Sequence, residues 1–109
     1  MIDAKIQGAV TPLVSVCVPN LYTGDEKEYC TFNYSELPQD FGDNLPNAVR
    51  YLVQVHWFLP LKVRPHPKKR ELRRALLSVE GFTAPDIVDA SDGEGQHYVY
   101  EFEAWDGEI

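Results

Sequence analysis

The sequence predicts an α+β domain, built as one antiparallel sheet of four to five strands with two helices packed on one face, in the order α-β-β-β-α-β-β. Three observations carry that prediction. Apolar residues recur at helical spacing in two places only, near the N-terminus and over residues 68–79. Between and after those places, β-branched and aromatic residues alternate with a period of two. The 109 residues leave room for a single domain, because two would each fall near the size at which a core becomes marginal.

Taken in order, Ile2, Ile6, Ala9 and Leu13 follow one another at intervals of four, three and four, which is one face of a helix. Gly8 and Pro12 keep that helix short. Residues 13–18 (LVSVCV), closed by Pro19, predict a buried strand, and Asn20, Thr23, Gly24 and Asp25 mark the turn after it. Residues 28–35 (EYCTFNYS) set Cys30, Phe32 and Tyr34 against Tyr29, Thr31 and Asn33, a second strand with one apolar face. A hairpin of these two strands about Thr23 and Gly24 would put Cys17 opposite Cys30 and permit a cross-strand disulfide. A reducing setting, and the commonness of small buried free cysteines, weigh against that bond.

Residues 37–47 (LPQDFGDNLPN) read as a loop. Residues 50–59 (RYLVQVHWFL) place Tyr51, Val53, Val55 and Trp57 on one side and Leu52, Gln54, His56 and Phe58 on the other. Bulk on both faces predicts a central strand covered on at least part of its second face. Pro60, Pro65 and Pro67 interrupt the chain, with Pro67 placed to open a helix. Leu72, Ala75, Leu76 and Val79 then form its inner stripe, its outer face is basic, and Gly81 is its expected stop, with Phe82 folding back. Residues 87–90 are a short strand and residues 91–96 (SDGEGQ) a hairpin turn. In residues 97–105, Tyr98, Tyr100, Phe102 and Ala104 alternate with His97, Val99, Glu101 and Glu103, a strand with one wet face.

Composition narrows the function. An apolar share of 44% and a charged share of 25% are ordinary for a globular domain and exclude wholesale disorder. No run approaches the roughly 18 apolar residues of a membrane span, so no membrane partner is expected. The first thirteen residues carry Asp3 and Lys5 without a long apolar stretch, so a signal peptide is not expected and the chain reads as intracellular. A net charge of −7 argues against a dedicated nucleic-acid binder. The charge is nevertheless lopsided. Residues 62–74 hold seven basic residues against Glu71 alone, and residues 80–109 hold nine acids and no Lys or Arg. Such zones offer complementary surfaces for contacts between copies of the chain.

Signals of chemistry are weak. His56, His66 and His97 lack the close spacing of metal ligands, so no metal is expected. Neither cysteine falls at a helix N-terminus, where a thiolate would be stabilised. Gly93 and Gly95 precede a strand rather than a helix, so they form no phosphate loop. No catalytic residue and no cofactor are therefore assigned. An enzyme would need His56 or His97 to converge with Cys17 or Cys30 in a cleft. A ligand-binding or regulatory module would need a pocket lined by Tyr51, Trp57 or Tyr100.

Several segments, in order, resemble the tail-terminator (tail-completion) proteins of long-tailed bacteriophages and prophages. Glu28–Tyr34 (EYCTFNY) is similar to that family's second strand, and Pro38 with Phe41, Gly42 and Asp43 to the stretch after it. Tyr51–Phe58 (YLVQVHWF) resembles its strand that ends near a tryptophan. Gly81 and Phe82 resemble the pair after its second helix, and His97 with Phe102 its terminal strand. The resemblance spans residues 13–105. It implies a non-enzymatic role: a ring, commonly sixfold, that caps the head-proximal end of the tail tube and stops its polymerisation. The major tail tube protein and a head-completion or connector protein would be its partners. Its places would be the host cytoplasm during assembly and then the virion tail. A ring needs a head-to-tail interface between two different patches. The expected subunit contact sets Lys69, Arg70, Arg73 and Arg74 against Glu101 and Glu103. Asp40, Phe41, Asp43 and Asn44 are the expected contact with tube or connector.

Overall fold

Seven elements follow one another as α1 (Ile2–Val10), β1 (Cys17–Pro19), β2 (Tyr29–Glu36), β3 (Ala48–Leu59), α2 (Lys68–Leu77), β4 (Asp86–Asp89) and β5 (Gln96–Gly107). The structure, a computed structural model, describes residues 2–37 and 48–107. The order is the expected one, and the strands form a five-stranded sheet arranged β1-β2-β3-β5-β4. Twelve-residue β3 and β5 pair antiparallel along their whole length at the centre, from Ala48 opposite Gly107 to Leu59 opposite Gln96.

Both helices pack on one face. Ile2, Ile6 and Val10 of α1 and Leu72 and Leu76 of α2 join Phe32, Val55, Trp57 and Tyr100 of the sheet in one buried cluster. Burying an apolar side chain such as Phe32 stabilises by about 1.5–3 kcal/mol, and together such side chains hold the layers in place. The Tyr100 hydroxyl, inside this core, donates to the carbonyl of Lys69 at 2.7 Å and so ties β5 to the start of α2.

The sheet is mixed rather than wholly antiparallel, which corrects the expected hairpin. β1 runs parallel to β2, with Cys17 beside Cys30, Val18 beside Thr31 and Pro19 beside Phe32. The pairing that was expected of the cysteines is present, in the opposite strand direction. A three-residue strand spans only about 10 Å, so residues 20–28 can return the chain to its starting end without a helix. Both cysteines are buried free thiols.

The expected strand over 13–18 is also shorter, for a local reason. The amides of Leu13 and Val14 both donate to the carbonyl of Val10 at 2.9 Å, completing the last turn of α1. Val14 continues the stripe of Ile6 and Val10 and is buried with it. Helix α2 opens at Lys68, with Pro67 immediately before it, and ends at Leu77. Gly81 adopts φ +91°, and a Cβ there would stand 2.7 Å from the carbonyl oxygen of Trp105. Only glycine allows that approach, which lets Gly81 accept the Trp105 amide at 2.9 Å and sets Phe82 opposite Ala104.

Candidate functional site

Strand alternation puts one set of side chains on the helix-covered face and the other on a face that no described element covers. On the open face, cross-strand register builds rows: Tyr29, Phe58 and His97; Thr31, His56, Val99 and Val88; Asn33, Gln54, Glu101 and Asp86; Ser35, Leu52 and Glu103. The second face of β3, expected to be covered in part, is shielded by these neighbours. His56 and Phe58 are half-buried by the side chains beside them. The aromatic row is self-stacked: Tyr29 and Phe58 have centroids 4.8 Å apart, and Phe58 and His97 4.2 Å. Its ring faces are turned on one another.

Polar groups run diagonally across the rows. Asn33 Nδ2 lies 3.1 Å from His56 Nε2, and His56 Nδ1 lies 2.8 Å from His97 Nε2. One imidazole must donate to the other, and the bond survives with one extra proton on the pair but not with two. Partial burial, then the proximity of His97, holds His56 below the usual histidine range. Burial does the same to His97, opposed by the carboxylates of Asp92 and Asp89. Gln54 Nε2 donates to Glu101 at 2.9 Å. Arg50 lies over the Trp105 ring at 5.5 Å, with its Nε 3.7 Å from Glu103.

The basic residues lie on the other side of the sheet. His66, Lys69, Arg70, Arg73 and Arg74 line a groove of about 420 Å³ between α2 and Ile87 of β4. Arg70 and Arg74 are exposed. Arg73 Nε donates to the Pro85 carbonyl at 3.0 Å, and Lys69 Nζ lies over the Tyr98 ring at 4.5 Å. Among the described residues, no ion pair joins these four cations to Glu101 or Glu103, because the sheet separates them. Arg50, by contrast, partly offsets Glu103.

The remaining expectations fall as follows. Cys17 and Cys30 face the helix layer and His56 and His97 the open face, so the sheet keeps thiols and imidazoles apart. Burial pushes the Cys17 thiol up to about 12 and raises Cys30 as well, aided by Cys17 and Glu28. Trp57 and Tyr100 fill the core rather than line a pocket, while half-buried Tyr51 packs edge-on to Tyr34. Among the described residues, no group of three or more His, Cys, Asp and Glu is placed to hold a metal ion. No described helix is long and apolar enough to cross a membrane. Asp40, Phe41, Asp43 and Asn44 lie outside the described residues. The histidine pair has no sequence spacing to announce it. The one available signal was that His97 falls on the wet side of its strand and His56 on the second face of β3 beside Gln54.

No protein-family model matches this chain. No curated protein matches it at a significant level either.

Proposed function

We propose that this chain is a structural assembly subunit, a tail-terminator-like protein of a phage or prophage. It closes head-to-tail into a ring on the tail tube, stops tube polymerisation and joins the tail to head-completion proteins. The tail role rests on the sequence resemblance over residues 13–105. The observation that supports assembly is the opposition of charge across the sheet. The basic groove of α2 and the acidic row of β5 point away from each other, so neither neutralises the other within one molecule. Two different patches on each subunit are what a heterologous, head-to-tail contact uses, and such a contact closes into a ring where its rotation allows.

The interface sets Lys69, Arg70, Arg73 and Arg74 of one copy against Glu101 and Glu103 of the next. Arg70 and Arg74 carry most of the attraction, because Lys69 and Arg73 are already engaged within their own subunit. Glu101 is a stronger acceptor than Glu103, beside which Arg50 stands. Exposed charge pairs are screened over about 10 Å at 0.1 M salt, so association weakens as salt rises. Sedimentation at low and high salt tests this. A chain that stays monomeric at high concentration and low salt, with tube protein present, removes the proposal.

A further inference from the structure

The feature of the open face that subunit assembly leaves unused is the direct contact between two imidazoles at its centre. We propose that the His56–His97 pair is a proton-operated release for the subunit contact, loosening it as the pH falls. This inference rests on the head-to-tail reading of the acidic face.

The geometry gives the mechanism. With both rings neutral, a single proton lies between His56 Nδ1 and His97 Nε2, 2.8 Å apart, and the pair adds no charge to the face. The first added proton goes to an outer nitrogen. The inner bond stands, and the face gains one positive charge. A second proton sets two N–H groups against each other and breaks the bond. Because the sites are this close, the protons arrive in two steps that belong to the pair.

The surroundings decide what that charge does. Asn33 and Thr31 face the pair from β2, neither of them titrating in this range, and Tyr29 stacks on Phe58 beside it. Glu101 lies one row from His56 on β5, with Asp86 of β4 opposite it. Asp89 at the end of β4 and Asp92 in the turn after it act on His97, and Glu94 and Lys27 line the same hollow as that ring. A cation appearing among these acids cancels part of the field that draws in the neighbour's Arg70 and Arg74. His56 lies within one Debye length of Glu101 at moderate salt. His66 lines the basic groove on the other side of the sheet and does not face the pair.

Two measurements test the proposal. In the first, imidazole NMR resonances of the wild type are followed between about pH 8 and about pH 4 in high salt, where the chain is monomeric. The expected result is that His56 and His97 titrate in two coupled steps, and that His97→Gln leaves His56 a single step nearer its ordinary value. Independent titration of the two rings, each in a single uncoupled step, overturns the proposal without touching the assembly reading. In the second, the self-association constant is measured by sedimentation at low salt, at about pH 7.5 and about pH 5. Wild type is expected to associate about tenfold more weakly at the lower pH, while His56→Gln/His97→Gln, which keeps His66, does not weaken. Equal association of the wild type at both pH values, or an equal fall in the double variant, overturns the release and leaves the assembly reading standing. A wild type that is monomeric at both overturns the two together.

Discussion

The indole nitrogen of Trp57, a fully buried side chain, donates a hydrogen bond of 2.9 Å to the carboxylate of Glu28 at the edge of the core. The same carboxylate receives Lys68 at 3.2 Å, so the start of α2, the entry to β2 and the C-terminal end of β3 are joined through one side chain. A buried donor stripped of its acceptor costs about 1–3 kcal/mol, whereas a half-exposed ion pair is worth about 0–1 kcal/mol. Glu28→Ala is therefore expected to lower the unfolding free energy by about 1–3 kcal/mol. Glu28→Gln keeps an acceptor oxygen and Lys68→Ala removes only the ion pair, so each should cost less than about 1 kcal/mol. Urea unfolding of the three variants checks the order. A Lys68→Ala loss as large as that of Glu28→Ala would mean that the ion pair, not the indole, holds the junction.

Two glycines should respond to alanine with opposite signs. At Gly81 the backbone has φ +91° and a Cβ would stand 2.7 Å from a carbonyl oxygen. Gly81→Ala is expected to cost about 2 kcal/mol or more, from backbone strain and displacement of β5. At Gly8, inside α1, a Cβ meets nothing within 4 Å. Gly8→Ala should stabilise by about 0.5–1 kcal/mol, since alanine has less freedom to lose in a helix. Thermal unfolding of both variants reads the signs, and destabilisation at Gly8 would contradict the open space around its Cα.

The depressed histidines fix the sign of a pH effect on stability. His56 and His97 both bind protons less readily in the fold than in the unfolded chain, chiefly because the fold buries them. Below about pH 6.5 the unfolded chain therefore takes up protons first, and stability falls as the pH drops toward the folded values. At higher pH the contribution is fully present. Denaturant midpoints measured downward from about pH 8 should decline more steeply for wild type than for His56→Gln/His97→Gln. A steeper decline in the double variant would mean that the fold favours the protonated rings.

Much of this architecture was legible in the residues. The alternation in β3 and β5 assigned Val53, Val55 and Trp57, and Tyr98, Tyr100 and Phe102, to the covered face, because burial on one side of a strand leaves a period of two. The stripe of Leu72 and Leu76 gave α2, and Gly81 gave the turn after it. The direction of β1 was hidden, since three residues carry no alternation and parallel or antiparallel pairing can set Cys17 beside Cys30. Leu13 and Val14 misled because an apolar run serves a helix end as well as a strand. His97 was placed on the wet face of its strand and His56 on the partly covered second face of β3, beside Leu52, Gln54 and Phe58. Their contact, however, follows from the β3–β5 register, a pairing between residues 41 apart in the chain, not from any local spacing. The charged zones were visible from the start, but the placement of Glu101 and Glu103 across the sheet from α2 required the fold, as did the closeness of Asp89 in the same zone to Lys69.

The head-to-tail contact is tested most directly by mixing two charge-reversed variants. Arg70→Glu/Arg74→Glu spoils the basic face and keeps the acidic one, and Glu101→Lys/Glu103→Lys does the converse. Each variant alone is expected to sediment as a folded monomer at low salt. Mixed in equal amounts, each supplies the intact patch that the other lacks and the two reversed patches are again opposite in sign, so the mixture should regain assembly with the two variants alternating. A mixture that remains monomeric while the wild type assembles, or a single variant that assembles unaided, would contradict the contact between α2 and β5.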